Sequence, residues 1–143
     1  RSARTDSTFC VILADIDHFK EINDRHGHDC GDQILKAVAQ RMQAVVRAQD
    51  RIARWGGEEF LVFLPDTVRD GAGILAERLR AAVADEPFYC DDLEIEITIS
   101  LGFSACQTEG NIDDCVERAD IALYAGKDGG RNRAVSYHDL PDS

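Results

Sequence analysis

The chain has 143 residues, 44% hydrophobic and 30% charged, the proportions of a single globular domain with room for a sizeable core. Its formal net charge of −11, with no basic stripe to offset it, argues against a nucleic-acid partner. No apolar run approaches the roughly 20 residues of a membrane span and the first residues do not form a signal peptide, so no membrane contact is expected from this segment.

Phe9 to Ala14 is apolar throughout, which predicts a strand central in its sheet. Asp15-Ile16-Asp17 closes it, and the two carboxylates share a face at the strand's C-terminal end, where open α/β sheets tend to bind ligands. His18-Phe19-Lys20 begins a tight passage in which backbone N–H groups and one ammonium can meet phosphate oxygens. Asn23 and Asp32 carry groups able to read a purine edge, or equally to cap helices. Ile34, Leu35, Val38, Met42, Val45 and Val46 recur at helical spacing. Residues 50–55 and 58–65 flank Gly56-Gly57, the strongest hairpin signal in the chain. A helix is expected over 71–83, with Ala72, Leu75, Ala76, Leu79 and Val83 on one face. Leu93 to Leu101 alternates strictly, the mark of a half-buried strand. Ile112 to Ala125 reads as a helix, then comes a loop, and Arg133 to His138 reads as a short strand. Lys127 and Arg131 bracket Gly129-Gly130, as two cations for a polyphosphate or as members of a solvated loop. The expected fold is α/β, a mixed central sheet flanked by helices in the rough order β-α-β-β-α-β-α-β.

Five cysteines (Cys10, Cys30, Cys90, Cys106, Cys115) make an odd count without a C-x-x-C pair, so reduced, partly buried thiols of a cytoplasmic protein are expected. His26, His28 and Cys30 offer zinc-type donors, but no partner set follows at zinc-site spacing.

Glu58 and Glu59 enter the core strand directly after the bare turn, and strand alternation sends one toward the protein and the other toward solvent. If the hairpin lies beside the first strand, Asp15 and Glu58 converge, with Glu59 as a candidate third member. Two unit charges about 4 Å apart repel by roughly 4 kcal/mol at an effective dielectric near 20. Such a set makes sense around a divalent cation, and all-oxygen ligation favours Mg²⁺ or Mn²⁺.

The stretches DIDHFKEINDRHGHDCGDQIL (15–35) and RWGGEEF (54–60) resemble the two signature blocks of the GGDEF domain, the bacterial diguanylate cyclase. ITISLGFSA and RADIALYAGKDGGRN resemble that family's later blocks, in the same order. Residues 1–9 contain nothing like the family's D-x-L-T-x-L-x-N-R helical segment, so the chain is expected to be one catalytic domain, residues 1–143, without that helix or an upstream sensory domain. The resemblance implies a palm-like core. It also implies metal ligation by Asp15, the Ile16 carbonyl and Glu58, with Glu59 as ligand or base. Phe19, Lys20, Lys127 and Arg131 match triphosphate-holding positions, Asn23 and Asp32 the guanine readers, and Gly56 and Gly57 the turn against which the nucleotide lies. Of these, Glu58, Glu59 and Lys20 are the residues expected to carry catalysis.

The implied reaction joins two GTP molecules into cyclic di-GMP with release of two pyrophosphates, across a homodimer. Arg47-Ala48-Gln49-Asp50 stands five residues before Gly56, the family's spacing for an inhibitory product site, and Arg78 matches an arginine lent by a neighbouring subunit. An R-x-x-D of this kind is more often a local ion pair. A cyclic di-GMP receptor without activity, or a related cyclase making cAMP or cGMP, are the competing readings. Retention of both glycines and of both glutamates favours the enzyme.

Overall fold

The computed structural model describes residues 8–141. The first seven residues, on which most of the expected missing helix falls, lie outside it. A five-stranded sheet runs in the order β2-β3-β1-β6-β7, built from β1 (Thr8–Ile16), β2 (Arg51–Arg54), β3 (Glu59–Leu64), β6 (Ile99–Gln107) and β7 (Ala134–Ser136). β1 pairs antiparallel with β3 and β6, and β7 joins β6 in parallel, so the sheet is mixed as expected.

β1 is buried on both faces because both faces are covered. Cys10, Ile12, Ala14 and Ile16 point into the larger core under α2 (His28–Val45) and α3 (Arg69–Ala84), with α1 (Phe19–His26) at its edge. Phe9, Val11 and Leu13 point to the other side, against Cys115, Ala119 and Leu123 of α4 (Ile112–Asp128). α4 lies close on the sheet: a Cβ on Gly102 would stand 2.1 Å from the Leu123 nitrogen. That approach brings the C-terminal turn of α4 to the end of β1.

Four expectations need correction. The tight passage after Asp17 is a helix of its own, α1, entered through His18 in left-handed conformation at φ 58°. The alternating stretch from Leu93 is two elements: β5 (Leu93–Ile95) pairs with β4 (Phe88–Cys90) in a separate hairpin, and β6 begins only at Ile99. β6 is central between β1 and β7, hence buried on both faces along most of its length rather than half-buried. Finally, the cysteines are not all thiols. Cys30 is bonded to Cys90 and Cys106 to Cys115, leaving Cys10 as the free cysteine among the described residues. Their Cα separations of 5.6 and 6.0 Å suit a bridge. The first pairing spans 60 residues, which spacing alone does not reveal.

Candidate active site

The end of β1 gathers acid from three directions. In the β1–β3 ladder Asp15 stands opposite Glu59, so the two side chains share a face. Glu58 lies just before β3, outside strand alternation, and its carbonyl accepts from the Ile16 N–H at 3.3 Å. Neither glutamate leans fully to solvent, as alternation had predicted for one of them. Both are half-buried and both approach Asp15. Burial first, and the Asp15 charge second, push the Glu58 and Glu59 carboxyls above the ordinary glutamate value, against a counter-pull from Lys127.

Lys127, in the last turn of α4, donates to Asp15 Oδ2 at 2.5 Å. Burial disfavours its charge, yet its pKa is raised, because hydrogen bonding and attraction to Asp15, with help from both glutamates, outweigh that cost. One ammonium thus serves three carboxylates, and the site keeps an excess of negative charge. Among the described residues no three acidic, histidine or cysteine side chains are already drawn together as a finished metal site. The excess of oxygen donors nevertheless fits a hard divalent cation, which would relieve the repulsion that, after burial, raises both glutamates.

Gly56 and Gly57 form the bare turn beside these acids. Neither has positive φ; a Cβ on Gly56 would meet only Glu59 at 3.8 Å, and one on Gly57 would meet open space. The protein's own packing therefore gives no reason for two glycines here.

α1 and α2 build the flank. Asn23 Oδ1 is a buried polar atom without a hydrogen-bond partner, an expensive state that a ligand N–H would end. A Cβ on Gly31 would stand 1.8 Å from that oxygen, so glycine at the start of α2 leaves Asn23 its place. Phe19 is buried beneath the same junction, while Asp32 is exposed on α2. Lys20 is exposed and paired with Asp24 at 3.0 Å, one helical turn along, rather than turned to the carboxylates. Arg131 is exposed in the turn after α4, at φ 65°.

Asp17 does not join the cluster: Thr98, Ser100 and the Asn132 N–H occupy its oxygens. Sequence reasoning also missed the Lys127–Asp15 contact, 112 residues apart in the chain and without a local signal.

Arg47 and Asp50 form a separate corner. The guanidinium holds Asp50 through both oxygens, at 2.9 and 2.8 Å, and reaches Thr67 Oγ1 at 2.6 Å. The Asp50 side chain is fully buried and that of Arg47 is 40% exposed. Asp50 thus orients the arginine and is itself out of reach of a ligand. Arg78 is exposed on α3. Among the described residues no helix is long and apolar enough to cross a membrane.

The profile of the family described as "Diguanylate cyclase, GGDEF domain" matches residues 1–133. Diguanylate cyclase A of Treponema denticola is 41% identical over 142 residues, 98% of this chain and 38% of that protein. The response regulator PleD of Caulobacter vibrioides is 44% identical over 128 residues, 87% of this chain and 28% of that protein. The chain therefore spans well under half the length of these relatives. Among solved structures, the GGDEF domain of DgcB from Caulobacter crescentus in complex with c-di-GMP superposes with TM-score 0.88 at 35% identity, over 93% of this chain and 80% of that one. The active GGEEF domain of a diguanylate cyclase from Vibrio cholerae gives 0.86 at 37% identity, over 100% and 89%.

Proposed function

The chain belongs to the GGDEF-domain family of diguanylate cyclases, and from that premise we propose that it condenses two GTP molecules into cyclic di-GMP, releasing two pyrophosphates. The observation that carries the reading is the approach of Glu58 and Glu59 to Asp15, which has one ammonium, Lys127, against it, beside two glycines that the fold itself does not require.

In this reading Asp15, the Ile16 carbonyl and Glu58 hold Mg²⁺ or Mn²⁺. The cation, when bound, acidifies the attacking 3′-hydroxyl and offsets charge on the departing pyrophosphate. Glu59 shares that load as a further ligand or accepts the hydroxyl proton. The N-terminus of α1 at Phe19 presents N–H groups without intrahelical partners to the triphosphate. Lys20, Lys127 and Arg131 add positive charge, and Lys20 gives up its exposed pair with Asp24 at small cost. Asn23, with its unpartnered oxygen, and Asp32 read the guanine edge. Gly56 and Gly57 let the nucleotide lie against the backbone.

Each domain holds one GTP, so two copies face one another during turnover. The product then inhibits by engaging Arg47, which Asp50 orients, together with Arg78 of a second copy. The likeness to the response regulator PleD supports a full protein in which this domain is joined to an upstream sensory or regulatory one.

The reading is tested by following cyclic di-GMP formation from GTP and Mg²⁺ across a range of protein concentrations. A specific rate that climbs with concentration supports a cyclase working as a dimer. Saturable binding of cyclic di-GMP with no product at any concentration would leave a receptor instead.

A further inference from the structure

Two residues beyond Asp15 stands a buried carboxylate to which the reaction assigns nothing. Among the described residues Asp17 has no ion-pair partner; three hydrogen bonds compensate it. Thr98 Oγ1 donates to Oδ2 at 2.7 Å, Ser100 Oγ to Oδ1 at 2.7 Å, and the Asn132 backbone N–H to Oδ2 at 3.0 Å. The first two come from β6 and the residue before it. The third crosses to the turn that follows α4.

That turn is conformationally costly. Gly130, Arg131 and Asn132 have φ of 123°, 65° and 49° in succession, and for the two non-glycine residues such angles persist only where the surroundings dictate them. Besides the Gly130 N–H on the Lys127 carbonyl at 3.3 Å and Arg133 Nε on the Arg131 carbonyl at 3.1 Å, three contacts reach across to Arg131 and Asn132. The Arg131 N–H bonds the Gly126 carbonyl at 2.9 Å, Asp17 takes the Asn132 N–H, and Arg80 holds Asn132 Oδ1 at 2.9 Å while itself paired to Glu77. The Asp17 and Arg80 bonds are both charge-assisted, and the Asp17 bond is the one that holds the backbone N–H of the turn through a buried carboxylate. What the turn carries outward is Arg131, four residues after Lys127.

We propose that Asp17 is a positioning residue: its charge fixes the 130–132 turn in left-handed conformation and thereby aims the Arg131 guanidinium at the nucleotide's phosphates. The inference rests on the reading of Arg131 as a phosphate contact. It also carries a sign that simple electrostatics does not. A buried carboxylate near a polyanion repels it, so removing the charge would tighten phosphate binding if Asp17 had no positioning role.

The test measures the dissociation constant of a non-hydrolysable GTP analogue, and of GMP, for the wild type, Asp17→Asn, Arg131→Asn and the double variant. Asparagine is chosen at 131 because it tolerates positive φ. The expected result is about a tenfold loss of analogue affinity for Asp17→Asn, as for removal of one charge-assisted contact, with GMP changed by less than about twofold. In the Arg131→Asn background the Asp17 effect should shrink to near nothing, as for residues acting through one another. Thr98→Val, which removes one tie on Asp17 at a half-buried site, should give the same pattern on a smaller scale and decides the matter if Asp17→Asn does not fold. Equal or tighter binding in Asp17→Asn, an equal loss for GMP, or additive effects with Arg131→Asn would each overturn the proposal. An Arg131→Asn variant that binds the analogue like the wild type would remove its premise, and with it that part of the functional reading alone.

Discussion

Asp15 and Asp50 are both buried aspartates within hydrogen-bond reach of one cation, and they use charge in opposite ways. Asp50 and Arg47 match one for one: two nitrogen–oxygen bonds close the pair and Thr67 takes part of what remains of the guanidinium. Asp15 shares its single ammonium with Glu58 and Glu59, whose carboxyls are both pushed upward. The first corner is complete in the protein alone, apart from the exposed side of Arg47. The second is complete only with something positive from outside. Charge left over after the protein's own pairing, rather than charge as such, marks a site awaiting a ligand.

That contrast can be broken by turnover first. Glu58→Gln should lower cyclic di-GMP synthesis by roughly a hundred- to a thousandfold, the scale of losing one electrostatic contact to the reacting groups; a rate near wild type would end its assignment as metal ligand. Stability should respond in the reverse order. Asp50→Asn weakens the buried end of the pair while Arg47 stays partly solvated, and should cost about 1–2 kcal/mol in denaturant unfolding without divalent ions. Glu58→Gln under the same conditions should be neutral or stabilising, since it removes repulsion; equal destabilisation of both would erase the distinction.

Smaller again is the effect at the complete corner's open side. Arg47→Ala should raise the cyclic di-GMP concentration needed for half-inhibition by about tenfold, one charge-assisted contact, while the uninhibited rate persists below the variant's lowered melting temperature. Unchanged inhibition would leave Arg47–Asp50 a purely structural pair.

The smallest effect is in pH. Glu58 and Glu59 have folded pKa values above their unfolded ones, so between those values the native state binds more protons than the unfolded state. Their contribution to metal-free stability therefore increases as pH falls from above the raised values to the ordinary glutamate range, and then levels off. The difference in unfolding free energy between wild type and Glu58→Gln, followed over that window, should narrow on acidification. A difference independent of pH would show that the carboxyl is not raised.

Much of this was legible in the sequence because the relevant signals are local. β1 and β3 announce themselves as short apolar runs, the Gly56-Gly57 turn joins the hairpin, and Asp15 with the glutamate pair lies at the ends of those elements. What escaped depends on contacts remote in sequence. The Cys30–Cys90 bond, the Lys127–Asp15 pair and the Asp17–Asn132 tie span 60, 112 and 115 residues. The alternating run at Leu93 misled for a related reason. Its period is genuine, but whether a residue pairs with β4 or with β1 depends on which neighbour the chain meets after folding. The expectation that one of the two glutamates turns to solvent failed because Glu58 lies one residue before the strand begins, where alternation does not apply.

The central claim, that the surplus acid around Asp15 is a cradle for a divalent cation, is tested most directly by Mn²⁺ binding. Free Mn²⁺ would be followed by electron paramagnetic resonance in the presence of a non-hydrolysable GTP analogue. Wild type and Arg47→Ala should both bind the ion, and binding should be lost in Glu58→Gln and in Asp15→Asn. Undiminished Mn²⁺ binding in Glu58→Gln and Asp15→Asn would contradict the account.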